Sequence, residues 1–274
     1  MIELTEEQVT KVIRPRRLES HKGDYGRVVL IGGNSQYGGA IIMSAEACVH
    51  AGAGLTTVVT ATKNHSSLHC RLPEVMVVDW QEEVTELLET ADVVVIGPGL
   101  GLSDFSKRLL QVVLQKQNEQ WLIIDGSGIT LFAADPLPLN NPARIVFTPH
   151  QMEWQRLSGL EIAQQTPEKN QAAQQKLGAT IVLKSHRTEI YTADQIYTNP
   201  LGNPAMATGG MGDTLAGMIA GFLAQFPSDE QTIGAAVYLH SLIGDSLAEK
   251  NYVVLPTEIS RQLPLWMRKF ANKK

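Results

Sequence analysis

Short runs of aliphatic and β-branched residues recur along the chain. They lie at Arg27 to Ile31 (RVVLI), Leu55 to Thr60 (LTTVVT), Val75 to Val78, Val93 to Ile96 (VVVI), Leu122 to Ile124, Ile145 to Phe147 and Thr180 to Leu183 (TIVL). They read as continuous apolar runs, the pattern of strands buried on both faces. Between them lie stretches with helical spacing, among them Ala40 to Ala51, Val84 to Leu88 and Phe105 to Gln117. Strands alternating with helices at this interval predict an α/β fold with a mostly parallel sheet. Several runs end in Gly, Asp or Thr-Pro, at the carboxyl ends of strands where open α/β sheets collect ligands.

The last third changes character. Thr208 to Gln225 predicts a glycine-punctuated turn and a small-residue helix. A second such helix follows from Gln231 to Ala248, and Pro256 and Thr257 open a final one. Asp135 to Pro142 (DPLPLNNP) is a surface loop by its turn residues. With no linker, repeat or low-complexity segment, residues 1–274 read as a single domain.

Composition narrows the function. At 43% hydrophobic and 19% charged the chain can bury a large core, and a net charge of −5 argues against a general grip on nucleic acid. The basic runs Arg14 to Arg17 and Lys273 to Lys274 are short and read as solvated. Cys48 and Cys70 have no metal or redox spacing, and MIELTEEQV has neither the basic start nor the apolar run of a signal peptide. No apolar stretch has membrane-spanning length. The expectation is a soluble, cytoplasmic protein with no membrane partner.

The strongest chemical signal is GNPAMATGGMGDTLAG, Gly202 to Gly217. Gly209, Gly210 and Gly212 free the backbone so that successive N–H groups can converge on one point. A helix starting at Asp213 would favour an anion at its N-terminus. A carboxylate beside a phosphate makes sense if it takes the proton from a hydroxyl about to attack phosphorus. The alternative is that Asp213 only caps the helix, although a cap alone needs no glycines upstream.

This segment resembles the signature of the bacterial ADP-dependent NAD(P)H-hydrate dehydratases, a branch of the ribokinase-like superfamily. HKGDYGRVVLIGGNSQYGGA, GAGLTTVVT, GPGLG, TPHQMEWQRL and VLKSHRT match further motifs of that family in order, from His21 to His240. The resemblance implies a three-layer α/β/α sandwich and an enzyme, a hydro-lyase. It would return the hydrated S epimer of NADH or NADPH to the working cofactor, consuming ADP with Mg2+ and releasing AMP and phosphate. Asp213 would be the catalytic base. Ala40, Gly101, His150 and Asp213 would face the hydrated dinucleotide. Lys184, Ser185, His186, Arg187, Thr188 and Gly212 would hold the nucleotide, with Asn34, Glu153 and Gly210 as secondary candidates and no dedicated metal cage.

For His150 the alternative is a loop histidine hydrogen-bonded locally, and for Lys184 a charge snorkelling at a strand end. Ser185 and Met152 replace glycines usual in the family, and Ser127 replaces an acidic residue in DGSG. Asp125 is therefore left out of the expected catalytic set. The chain lacks the epimerase domain that many relatives carry fused at their N-terminus. Conversion of the other epimer would then fall to a separate NAD(P)H-hydrate epimerase. Relatives are oligomeric, which implies a homo-oligomer. The rival readings are a ribokinase-like kinase acting on a vitamin precursor and a non-catalytic nucleotide-binding protein, the latter indifferent to loss of Asp213.

Overall fold

The structure, a computed structural model, describes residues 1–227 and 229–273; Lys274 of the C-terminal basic pair lies outside the described residues. Chain order is β1 (Ile2–Glu3), α1 (Glu6–Val12), β2 (Arg27–Ile31), α2 (Gly38–Ala51), β3 (Leu55–Thr60), α3 (His65–Arg71) and β4 (Met76–Asp79). Next come α4 (Thr85–Thr90), β5 (Val93–Ile96), α5 (Asp104–Lys116), β6 (Trp121–Ile124), α6 (Ser127–Ala134), β7 (Ile145–Phe147) and α7 (Gln151–Ser158). The last part holds α8 (Pro167–Leu177), β8 (Thr180–Leu183), β9 (Glu189–Tyr191), β10 (Ile196–Thr198), α9 (Met211–Gln225), α10 (Glu230–Ala248) and α11 (Pro256–Ala271).

The strands form one sheet in the order β1-β10-β9-β8-β7-β6-β5-β2-β3-β4. Every pairing is parallel except those of β9, which runs against both β8 and β10. Successive side chains on a strand point to opposite faces, and the core divides accordingly. Val28, Leu30, Val93 and Val95 join a cluster with α1, α2, α9, α10 and α11. Val29, Ile31, Val94 and Ile96 join a second cluster with α4 to α8. This is the expected three-layer sandwich, and burial on both faces accounts for the unbroken apolar runs.

The structure adjusts several expectations. The fourth strand is Met76–Asp79, one residue later than expected. The edge strands β1, β9 and β10 were not expected; they span two or three residues and carry Glu3, Glu189 and Thr198. The basic run near the N-terminus is not simply solvated. Arg16 stacks on the Tyr25 ring at 3.7 Å, and Arg17 pairs with Asp24 at 3.3 Å.

Helix α9 is buried almost all round and lies against α2 at very close range. A Cβ at Gly217 would stand 2.0 Å from the Ser44 carbonyl oxygen of α2, and one at Gly221 would stand 2.6 Å from Ala51 Cβ. The small residues of α9 therefore pack inside the chain, with no room between the two helices for one more methyl. Gly217→Ala is expected to cost about 1–3 kcal/mol of unfolding free energy through overpacking. Gly209→Ala has nothing within 4 Å and should stay within about 0.5 kcal/mol of wild type. Urea unfolding of the two variants tests the contrast.

Candidate active site

Four ionisable side chains gather at the carboxyl ends of β6, β7 and β8 and the start of α9. Asp125 follows β6 and is buried; its Oδ1 accepts from Thr148 Oγ1 at 2.6 Å and from Lys184 Nζ at 2.7 Å. Lys184 follows β8, and its backbone N–H donates to the Pro149 carbonyl at 2.8 Å, which carries the β7–β8 pairing into the site. Glu153 lies buried in the first turn of α7. Asp213 lies in the first turn of α9, partly buried.

The helix begins at Met211, not at Asp213. Its N-cap is Gly210, whose φ of 99° is the left-handed conformation that glycine adopts without strain. Gly209 and Gly212 have no positive φ, so only one of the three glycines is needed for its backbone freedom. Gly212 is needed for approach, because a Cβ there would stand 2.9 Å from Lys184 Nζ. Asp213 is thus the third helical residue and not the N-cap. The N-cap position expected of Asp213 under the capping alternative belongs to Gly210, and the Asp213 carboxylate lies in the field of Asp125, Lys184 and Glu153.

One ammonium among three carboxylates leaves an excess of negative charge in a region withdrawn from water. Burial, reinforced by Asp125 and opposed by Lys184, pushes the Asp213 carboxyl up to about 7. Glu153 is also raised, by burial first, with Lys184 acting against the shift and Asp125 with it. For Lys184 burial acts downward, but Asp125, Glu153 and Asp213 outweigh it and hold the ammonium above its ordinary value. Lys184 therefore does not snorkel outward; it is a fixed cation.

One cleft opens on this cluster at Lys184, and a second opens over the neighbouring strands. The first, of about 630 Å³, is lined by Lys184 to Thr188, by Gly212 and by the wall of α10. All six residues expected to hold a nucleotide thus lie on one cavity. Ser185 Oγ accepts from the Arg187 N–H at 3.1 Å and donates to the Arg187 carbonyl at 2.5 Å, so the serine replacing glycine closes the loop on itself. His240 of α10, absent from the expected set, also lines the cleft. Burial pushes it down to about 4, and its Nε2 has no hydrogen-bond partner among the described residues.

The other cleft, of about 430 Å³, includes Asn34 and Gly101. Asn34 Oδ1 accepts from the N–H groups of Gln36 and Tyr37, both at 2.9 Å, and a Cβ at Gly101 would lie 2.5 Å from Asn34 Nδ2. Ala40 is in the first turn of α2, with its Cβ 3.1 Å from where a Cβ on Gly99 would be. Here β2 has neighbours β5 and β3 on its two sides, so the chain crosses over in opposite directions from one point. That is the topological switch point where doubly wound sheets bind ligands.

His150 caps α7. Its Nδ1 accepts from the N–H groups of Met152 and Glu153 at 3.1 and 3.2 Å, and Glu153 Oε2 accepts in return from the His150 N–H at 2.8 Å. The local hydrogen bonding that was the alternative for His150 is present. Its ring remains half exposed, with Nε2 3.5 Å from Glu153 Oε1. Asp125, omitted from the expected set, is instead the partner that fixes Lys184. Its signal in the sequence is its place directly after an apolar strand.

Fold and site together define a nucleotide-using α/β protein of ribokinase-like architecture. The family profile described as NAD(P)H-hydrate dehydratase matches residues 28–265. The ADP-dependent (S)-NAD(P)H-hydrate dehydratase of Enterococcus faecalis is 60% identical over 98% of this chain and 94% of its own. A crystal structure of a ribokinase-like superfamily protein from Enterococcus faecalis superposes with a TM-score of 0.98 at 59% identity, covering 100% of this chain and 97% of that one. The ADP/ATP-dependent NAD(P)H-hydrate dehydratase of Bacillus subtilis, co-crystallised with ATP and Mg2+, does so with a TM-score of 0.88 at 27% identity over 98% of each chain. The chain belongs to the NAD(P)H-hydrate dehydratase family.

The raised Asp213 carboxyl has a consequence for stability. Its folded value of about 7 lies above the ordinary 3.8. Between those values the folded state holds a proton that the unfolded chain releases, so stability falls as pH rises through that window. Asp213→Asn removes this slope. Unfolding free energies at pH 5 and pH 8 should show the variant gaining on wild type at the higher pH; an unchanged difference would refute the assignment.

Proposed function

We propose that the protein dehydrates the S epimer of hydrated NADH or NADPH, consuming ADP and releasing AMP and phosphate. The observation that carries this reading is Asp213, a carboxyl raised to about 7 in the field of Asp125, Lys184 and Glu153, directly after Gly212 on the cleft that Lys184 to Thr188 line. Its environment makes it a far stronger base than an ordinary aspartate, near the range best suited to general-base work at neutral pH.

Asp213 takes the proton from the hydroxyl added to the nicotinamide ring, and that oxygen attacks the terminal phosphorus of ADP as AMP departs. The ring nitrogen then expels phosphate, a far better leaving group than hydroxide, and loss of a proton from the neighbouring ring carbon restores the double bond. Lys184 and the N–H groups opening α9 favour the charge on the transferring phosphate. Ser185, His186, Arg187, Thr188 and Gly212 hold the nucleotide, and Ala40, Gly101 and His150 face the hydrated dinucleotide. Asn34 and Gly210 shape the two loops that frame them.

Magnesium bound to a nucleotide needs only one or two carboxylates beside the phosphates and water. Asp125 and Glu153 are the carboxylates that would stand beside such an ion, each already engaged through one oxygen, Asp125 by Lys184 and Thr148 and Glu153 by the His150 N–H. When bound, the ion would offset the phosphate charge.

The reaction needs both clefts, so residues 1–274 act as one functional domain in this proposal. A cytoplasmic location, a homo-oligomer and a separate epimerase for the other epimer complete it. Among the described residues no helix is long and apolar enough to cross a membrane.

The test follows absorbance of the reduced nicotinamide band with hydrated NADH, magnesium and ADP. The expected result is a rise that requires nucleotide and falls by about 10²–10⁴-fold in Asp213→Asn, with ADP binding retained. For wild type kcat/KM should increase with pH through about 7 as Asp213 loses its proton. A stable phosphorylated product with no absorbance change would indicate a kinase instead. Undiminished function in Asp213→Asn would indicate a binding protein.

A further inference from the structure

The switch-point cleft extends well beyond Asn34 and Gly101. It continues over β3 and β4 to Lys63, Trp80 and Gln81, and back to Leu102 and Ser103 at the start of α5. Lys63 is its one charged lining residue and forms no ion pair among the described residues. The dehydratase chemistry uses neither Lys63 nor this end of the cavity.

The cation is held on a stiff support. It occupies the middle of a single 3-10 turn, Thr62–Asn64, directly after β3. The next residue, Asn64, is buried and donates to the Gly33 carbonyl at 2.6 Å and to Thr60 Oγ1 at 2.9 Å. The nearby Asp79 carboxylate is already engaged, with Oδ2 accepting from Thr62 Oγ1 and Oδ1 from the Gln81 N–H. It therefore leaves Lys63 without a partner. Apolar surface stands beside the charge: Trp80 tilts against Phe105 with ring centroids 5.2 Å apart, and Leu102 is 62% exposed at the cleft mouth.

The span fits a dinucleotide. From Asp125 after β6, the sheet passes through β5 and β2 to β3, three inter-strand steps, or about 14 Å at ~4.8 Å per step. With the nicotinamide ring at Asp213, the pyrophosphate falls one ribose away, over the uncharged loops that follow β2 and β5. The second ribose, with its adenine, falls one group further, at β3 and β4. On the dehydratase reading, we infer that Lys63 binds the 2′-phosphate of the hydrated NADPH, with the adenine packed on Trp80 and Leu102. Lys63 is then the residue that discriminates between the phosphorylated and unphosphorylated dinucleotides.

Equilibrium binding of NADPH and NADH, read by nicotinamide fluorescence at saturating AMP, tests this in wild type, Lys63→Ala and Lys63→Arg. Lys63 is exposed and makes no side-chain hydrogen bond among the described residues, so the substitutions leave the fold intact. The NADPH to NADH ratio of dissociation constants should rise about tenfold in Lys63→Ala, the size of one lost charge-assisted contact, and return in Lys63→Arg. The KM ratio for the two hydrates should move with it. An unchanged ratio overturns the assignment. So does an equal weakening for both dinucleotides, which would place Lys63 on the shared pyrophosphate. Wild-type turnover of hydrated NADH, measured alongside, tests the dehydratase reading by itself: absent turnover with a shifted binding ratio removes the reaction and keeps the subsite.

Discussion

Lys184 brings one largely buried ammonium to 2.7 Å from Asp125 while Glu153 and Asp213 stand in the same field, so three carboxylates share a single fixed cation. Breaking such a pair by removing one partner typically costs 3–5 kcal/mol, because the other charge is stranded away from water. The surrounding architecture serves this contact. β8 delivers Lys184 through a backbone bond to Pro149, Thr148 fixes the Asp125 oxygen that Lys184 also meets, and Gly212 leaves the space the ammonium enters. An alanine at position 212 would press on the cation that sets every other charge in the site.

The carboxyl edge of the sheet orders the chemistry along a line. The cleft of Lys184 to Thr188 lies by the β8 end and the wall of α10, the charge cluster lies over β6 to β8, and the switch-point cleft opens over β5, β2, β3 and β4. In the proposed reaction, two substrates entering from opposite sides would meet at Asp213. The packing of α9 on α2 enters here. The helix that carries Asp213 packs at Gly217 and Gly221 directly against α2, and in the proposed reaction the base it carries would need a fixed geometry to work. Close helix packing and catalytic positioning are one constraint on this helix.

The parallel core and the glycine turn were legible because their signals are local. VVVI or TIVL is apolar along its whole length, and GGMGD concentrates several unusual requirements in five residues. Asp125 was not legible. Its importance comes from a lysine 59 residues away, and the serine at 127 drew attention from it. His150 shows the same limit from the other side. TPH marks a strand exit, but the capping of α7 by its ring nitrogen, which accepts from the Met152 and Glu153 N–H groups, arises only in the folded chain. The edge hairpin β9–β10 escaped because three-residue strands bearing Glu189 and Thr198 carry little periodicity to detect.

Lys184 also acts on the Asp213 carboxyl, which the proposed reaction uses as its base. A solvated aspartate near 3.8 would be ionised at neutral pH but would hold a proton too weakly to assist its removal from an alcohol. Burial and the repulsion of Asp125 move it the other way and favour the protonated form. The ammonium opposes both and leaves the carboxyl near neutrality. Its two roles do not conflict. The charge that restrains Asp213 also lines the cleft of Lys184 to Thr188, so in the proposed reaction one residue would set both the strength of the base and the position of the phosphate it helps to attack.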